Sequence, residues 1–321
     1  MSISGKLDGL AKFAWFVVAW NVVVILWGVF LRASKSGDGC GQHWLTCQGE
    51  VIPSAPELKT IIEYSHRITS FLAFVSVVVL VVWVFRRFEK GSSTRWMAVG
   101  SFVFILTEAL VGAGLVLTGN TAETLTPTRP FWMAGHLLNT FILLAFLTLT
   151  ARAASGSRAL TWNVDRKYLA AIIIGILAIF VVGMSGSVAA LSSMIFPSGT
   201  LAEGVAKDFS PTSNVLLRLR LLHPITAILT SVFLIFLTGW LAKESGKAAG
   251  VVRWSNVLSL LVLAQIAFGS LTLFMLAPIV MQLGHLFLAD AIWIAYVLLA
   301  ADFLSSGSAT PPSAALDEVV E

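Results

Sequence analysis

Eight uninterrupted apolar stretches, at residues 13–31, 62–85, 97–117, 131–150, 169–191, 215–241, 251–276 and 279–301, leave this chain little freedom in how it folds. A helix needs about 20 such residues to cross the hydrocarbon core of a bilayer. Lipid offers no hydrogen-bond partners, so each stretch must satisfy its own backbone as a helix and not as a strand. Composition agrees: 57% of residues are apolar and 12% charged, with a mean hydropathy of +0.87, where soluble domains carry roughly 25% charged residues. A net charge of +4 and a pI near 9.2 would suggest nucleic acid for a soluble protein. Here the basic residues sit in short connectors, where the positive-inside effect accounts for them, and nucleic-acid binding is set aside.

The first stretch follows Lys6 and Lys12 and has the outline of a signal-peptide core. Its length and its tryptophans, Trp15, Trp20 and Trp27, favour a retained span over cleavage after Ala33. Connectors on one side carry Arg86, Arg87, Lys90 and Arg95, then Arg152, Arg158, Arg166 and Lys167, then Lys243, Lys247 and Arg253. The other side holds fewer, more scattered cations. That bias puts both termini in the cytoplasm of a bacterial inner (cytoplasmic) membrane protein. Cys40 and Cys47, the two cysteines, then share an external loop where a disulfide can persist. His43 lies between them, which leaves a Cys–His–Cys metal site as the alternative.

The basic connector 151–167 divides the chain into two sets of four spans, at 1–155 and 156–321, and the sets look like a duplication. A shift of 157 places His66 on His223, Thr69 on Thr226, Glu108 on Gln265 and Gly112 on Gly269. For the last span of each set a shift of 149 places Gly135-His136-Leu137 on Gly284-His285-Leu286. The expected fold is all-α and integral to the membrane: eight transmembrane helices as two pseudo-symmetric four-helix bundles. An even number of spans per half makes the repeat parallel, about an axis along the membrane normal.

Four of the five histidines, His66, His136, His223 and His285, each lie one to two turns into an even-numbered span, at one depth near the outer leaflet. Bundle cores build cofactor sites from facing helices, and histidine is a common axial ligand to haem iron. Two facing imidazoles per half suit one tetrapyrrole per half. No third or fourth ligand lies within helical reach, which disfavours zinc or copper. A proton relay and a purely structural role are the competing readings.

Glu63, His66 and Arg67 share one helical face at the mouth of the second span. A charge at the bilayer centre costs about 2.5–3.5 kcal/mol, so such groups normally face a protein-lined cavity. The second half has Arg220 and Pro224 at the matching positions, and Gln265 in place of Glu108. A carboxylate beside one pair only suggests one reactive site and one electron-transfer or structural site. Arg67, Arg129, Arg218 and Arg220 stand near the outer mouths, as haem propionate partners or as snorkelling interfacial cations.

The set Glu63-Tyr64-Ser65-His66-Arg67, Gly135-His136, Leu222-His223-Pro224 and Gly284-His285, with Cys40 and Cys47 after the first span, resembles the haem A synthase family of eight-helix membrane enzymes. The resemblance covers all eight spans. It implies oxidation of the C8 methyl of haem O to a formyl group, giving haem A for terminal oxidase assembly. It further implies a resident haem b on His223 and His285, a substrate haem O facing His66 and His136, and Glu63 as the catalytic carboxylate. A haem O synthase would deliver the substrate. Three departures stand out: a cysteine loop without the family's proline-rich wording, Glu108 where a glutamine is expected, and no cysteine pair in the second half. A di-haem electron carrier and a haem transport or assembly scaffold are the competing functions.

Overall fold

A computed structural model of the protein describes residues 8–121 and 126–306. The expected cytoplasmic termini, which are also the outer ends of the two expected halves, lie outside the described residues. The described chain forms α1 (Gly9–Ala33), α2 (Leu58–Arg87), α3 (Ser93–Leu117), α4 (Arg129–Ala154), α5 (Arg166–Ile195), α6 (Leu201–Phe209), α7 (Val215–Arg220), α8 (Leu222–Glu244), α9 (Ala249–Phe274) and α10 (Ile279–Ser305). Among the described residues eight helices are long and apolar enough to span a membrane, counting α7 and α8 together as Val215–Glu244. Each coincides with one of the eight apolar stretches, extended by a few polar residues at its ends.

The break inside the sixth span has a local cause. Pro224 has no N–H, and its ring crowds the carbonyl four residues earlier, at Arg220. The helix accordingly stops at Arg220 and restarts at Leu222, with Leu221 as the joint. His223 thus stands in the first turn of α8, not two turns inside an unbroken helix. Its depth in the span is still that of the other three histidines.

Packing places α4 and α10 at the centre. About half of the most apolar stretch of each is buried, 50% and 56%, against 17–33% for the other spans. One apolar cluster joins α1, α2, α3 and α4 through Val17, Val77, Leu80, Ile105, Leu143 and Leu147. A larger one joins α5, α8, α9 and α10 and takes in Phe141 and Leu144 of α4 and Val22 of α1. Polar contacts also cross between the two sets. Trp293 Nε1 donates to the Phe141 carbonyl at 2.6 Å, and Arg152 pairs with Asp302 at 2.8 Å. Phe71, Leu72, Phe236 and Leu260 point outward, as lipid-facing side chains must.

Candidate functional site

The four histidines stand at matched depth on α2, α4, α8 and α10. Three of the rings press against a glycine of a neighbouring helix. A Cβ on Gly28 of α1 would come within 3.0 Å of the His66 ring, one on Gly186 of α5 within 2.9 Å of His223, and one on Gly269 of α9 within 2.8 Å of His285. Any larger residue would displace the imidazole, so these glycines make room for the rings themselves. His136 is the exception: a Cβ on Gly112 meets nothing within 4 Å. Its ring Nδ1 instead lies 3.4 Å from Glu108 Oε1.

The ring nitrogens are mostly unspent. Nδ1 of His66, of His136 and of His285 is sealed from solvent with no hydrogen-bond partner among the described residues. His223 Nδ1 lies 3.3 Å from the Val182 carbonyl and 3.4 Å from Ser185 Oγ. The His223 and His285 rings stand edge to face with centroids 6.1 Å apart, close enough for one ion to lie between them. Half-buried imidazoles with uncommitted nitrogens, three of them cradled by glycine and paired across helices, would fit ligation of a haem-type iron. Among the described residues no three His, Cys, Asp or Glu side chains gather as a conventional metal site.

Over the first pair lies the cysteine loop. Cys40 and Cys47 are bonded to each other, and both are fully buried. A sulfur in a disulfide is no thiolate ligand, so the Cys–His–Cys alternative falls. The loop rests on the start of α2: Thr60 Oγ1 and Gln48 Nε2 both donate to the Gly39 carbonyl, at 2.8 and 2.9 Å. A side chain on Gly39 would strike the Lys59 carbonyl group at 2.4 Å, so only glycine lets the strands of chain approach. Glu63 and Arg67 fasten the rest. Glu63 Oε2 accepts the Cys40 N–H at 2.8 Å and its Oε1 accepts Arg67 Nη2 at 2.5 Å. Arg67 Nη1 fans over the carbonyls of His43, Trp44 and Thr46.

Over the second pair lies α6, a helix of nine residues with Thr200 as its N-cap. Arg220 anchors it, donating from Nε to Asp208 at 2.5 Å and from Nη2 to the Gly204 carbonyl at 2.9 Å. Arg218 donates to the Pro211 carbonyl at 2.7 Å. Of the four arginines named from the sequence, Arg67, Arg218 and Arg220 therefore hold outer loops. Arg129 is buried at the first turn of α4, within electrostatic reach of Arg32 and Asp38.

Three features escaped the sequence reading. Arg32 sits in the last turn of α1, within electrostatic reach of Arg129. Asn139 and Thr140 donate hydrogen bonds to Glu108, and Thr107 donates to Asn139. Asp290, on α10, is 1% exposed, and neither of its oxygens finds a donor among the described residues. A lone acid inside an apolar stretch was the available signal for Asp290.

The fold and site define a polytopic membrane protein with two pairs of intramembrane histidines. Residues 11–297 match the cytochrome oxidase assembly protein family, and the chain belongs to that family. It is 42% identical over 299 residues to a protoheme IX farnesyltransferase of Thermus thermophilus, a match covering 93% of this chain and 49% of that protein. To the heme A synthase of Halalkalibacterium halodurans it is 29% identical over 251 residues, 77% of this chain and 81% of that protein. The heme A synthase of Shouchella clausii is 29% identical over 259 residues, with the same two shares. The chain thus spans about half the length of the Thermus relative.

Proposed function

We propose that the protein is a haem A synthase, oxidising the C8 methyl of haem O to a formyl group. The observation that carries this reading is the two pairs of half-buried imidazoles, with the Glu108 carboxylate 3.4 Å from a ring of the first pair and Gln265 at the matching place in the second. In this assignment His223 and His285 hold a resident haem b, and His66 and His136 face the haem O substrate. When bound, haem b supplies one-electron transfer. The chain's own part is to fix the imidazoles, close the mouths and keep charge beside the reacting pair.

Two further observations favour a lipophilic haem in the first half. A groove of about 480 Å³, lined by Val111, Phe131, Trp132, Gly135, Leu138 and Ile142, runs between α3 and α4 beside His136. Its lining is mostly apolar, with Thr128 and Asn139 as the polar members, which suits a prenylated substrate. Buried Arg129 and half-buried Arg32 supply positive charge at the mouth of that half, suited to carboxylate groups. Arg67, Arg218 and Arg220 hold outer loops.

Glu63 is proposed to act chiefly by pinning the cysteine loop over His66, because both of its oxygens are engaged there. Proton transfer to a substrate would require Arg67 or Cys40 to release one of them.

The farnesyltransferase name belongs to relatives about twice as long as the match. Prenyl diphosphates are held through Mg²⁺ on carboxylates, and among the described residues no such cluster gathers. We assign prenyl transfer in those relatives to the half this chain does not cover. Haem O made there would pass directly to a half like this one, in an inner membrane with the cysteine loop outside, for use in terminal oxidase assembly. The test is expression with and without a haem O source, followed by mass-resolved chromatography of extracted haems. New haem A only with the chain present supports the reading. Unchanged haem O favours an electron carrier or a scaffold, and new haem O without the added source favours the farnesyltransferase.

A further inference from the structure

Among the four histidines, only His136 has a carboxylate behind its ring. Glu108 of α3 lies with Oε1 3.4 Å from His136 Nδ1, an electrostatic contact longer than an aligned hydrogen bond. The carboxylate is held at that place from other sides. Thr140 Oγ1 donates to Oε1 at 2.6 Å, and Asn139 Nδ2 donates to Oε2 at 2.5 Å. Asn139 is itself fixed, accepting from Thr107 Oγ1 at 2.6 Å and donating to the Phe104 carbonyl at 3.0 Å.

The second half lacks every member of this network. At the shifts that superpose the histidines, Thr107, Glu108, Asn139 and Thr140 fall on Ala264, Gln265, Leu288 and Ala289. Gln265 Nε2 donates to the His285 backbone carbonyl at 3.1 Å and brings no charge to the ring, against which Gly269 packs; Nδ1 makes no hydrogen bond in either His136 or His285, so the difference is the carboxylate 3.4 Å from His136. Four polar residues gathered on two helices in one half, and three of them replaced by apolar residues in the other, are not needed for packing. A polar network in lipid must serve something to be worth its desolvation.

We propose that Glu108 is the positioning residue of His136: it takes the Nδ1 proton side of the ring, presents Nε2 to the iron, and gives that ligand anionic character. This rests on the reading of His136 as an iron ligand. A carboxylate behind a metal-bound histidine fixes its tautomer and raises its basicity, and loss of such a partner typically costs 10–100-fold. A more basic ligand favours the ferric over the ferrous state. The first-half haem is therefore biased toward oxidation relative to the same site with a neutral partner, while the second-half haem has no such bias.

The experiment is an optically monitored potentiometric titration of the full chain loaded with haem, as wild type, Glu108→Gln and His136→Ala. The wave that disappears in His136→Ala is the first-half haem. In Glu108→Gln that wave should move upward by about 59 mV, the one-electron equivalent of a tenfold loss in ferric preference. The second-half wave should stay in place and reports that the variant is folded. Should Glu108→Gln not fold, Glu108→Asp keeps the charge, draws it back by one methylene, and should move the same wave upward by less. A first-half wave that does not move, or two waves that move together, overturns the role of Glu108 while leaving the ligand reading intact. Loss of neither wave in His136→Ala overturns the ligand reading itself.

Discussion

The mouths of the two sets of spans are closed by different devices fastened from the same place. Over His66 the cover is a disulfide loop, and the residue that grips it is Glu63, accepting from Cys40 and Arg67. Over His223 the cover is α6, and the residue that grips it is Arg220, donating to Asp208 and Gly204. Glu63 and Arg220 occupy the same position at the shift of 157. One position has thus served one task with opposite charge, each matched to the groups its own loop offers. The comparison teaches that an acid at the first mouth is not by itself a sign of chemistry. The deeper asymmetry, Glu108 against Gln265 one helix away, lies 3.4 Å from the His136 ring and, on the proposed function, is the better marker of the reacting pair.

The largest expected effect on activity comes from breaking the first clamp. Glu63→Gln turns one of two acceptors into a donor that faces Arg67 or the Cys40 N–H. Haem A formation should fall about 10–100-fold, the equivalent of one lost hydrogen bond to a charged group, with haem O accumulating while the chain stays folded. Arg67→Ala sharpens the result: an equal fall assigns the effect to the clamp, and a much smaller one returns Glu63 to direct proton transfer. Extracted haems resolved by mass give the readout.

Arg220→Ala tests the second clamp. Arg220 and Asp208 are 15% and 8% exposed, and removing one partner of a buried pair costs about 3–5 kcal/mol. Protease cleavage within residues 196–214 should accelerate and thermal stability in detergent should fall, with the first-half haem unaffected. Unchanged cleavage would mean that α6 holds itself in place.

The disulfide should matter less. A loop with a sequence separation of 7 contributes about 2.5 kcal/mol by chain entropy. Cys40→Ser with Cys47→Ser should insert, bind haem and lose only part of its activity, as measured on the same haem extracts. Free thiols alkylated in oxidised membranes would contradict the bond outright. The smallest effect belongs to Glu203 on α6. Lys207 and the Gly199 N–H hold its carboxyl below the usual range. Its contribution is present above the ordinary carboxylate pKa and is lost as pH falls through the lowered value. Because the pair is exposed, Glu203→Gln should leave thermal stability at neutral pH unchanged within error.

Much of this was legible in the residues, and for identifiable reasons. Span positions follow from hydropathy alone, because lipid permits nothing but helix there, and all eight were found. The histidines declared themselves by recurring at one depth, and the two cysteines by sharing one external loop. α6 was not visible: nine residues in a polar loop carry too short a pattern to read. The partners of Arg67, Arg218 and Arg220 depend on how loops fold back, which no periodicity encodes. The Glu108 network needed the rotation of α3 against α4, and Asn139 and Thr140 read in sequence only as polar residues in an apolar span.

The central claim is that the two histidine pairs hold different haems. The direct test is to purify wild type, His136→Ala and His223→Ala from cells that make haem O, and to resolve the bound haems by mass. His136→Ala should lose haem O and haem A and keep haem b, and His223→Ala should lose haem b. The reverse pattern, or equal loss of both kinds from either variant, would contradict the account.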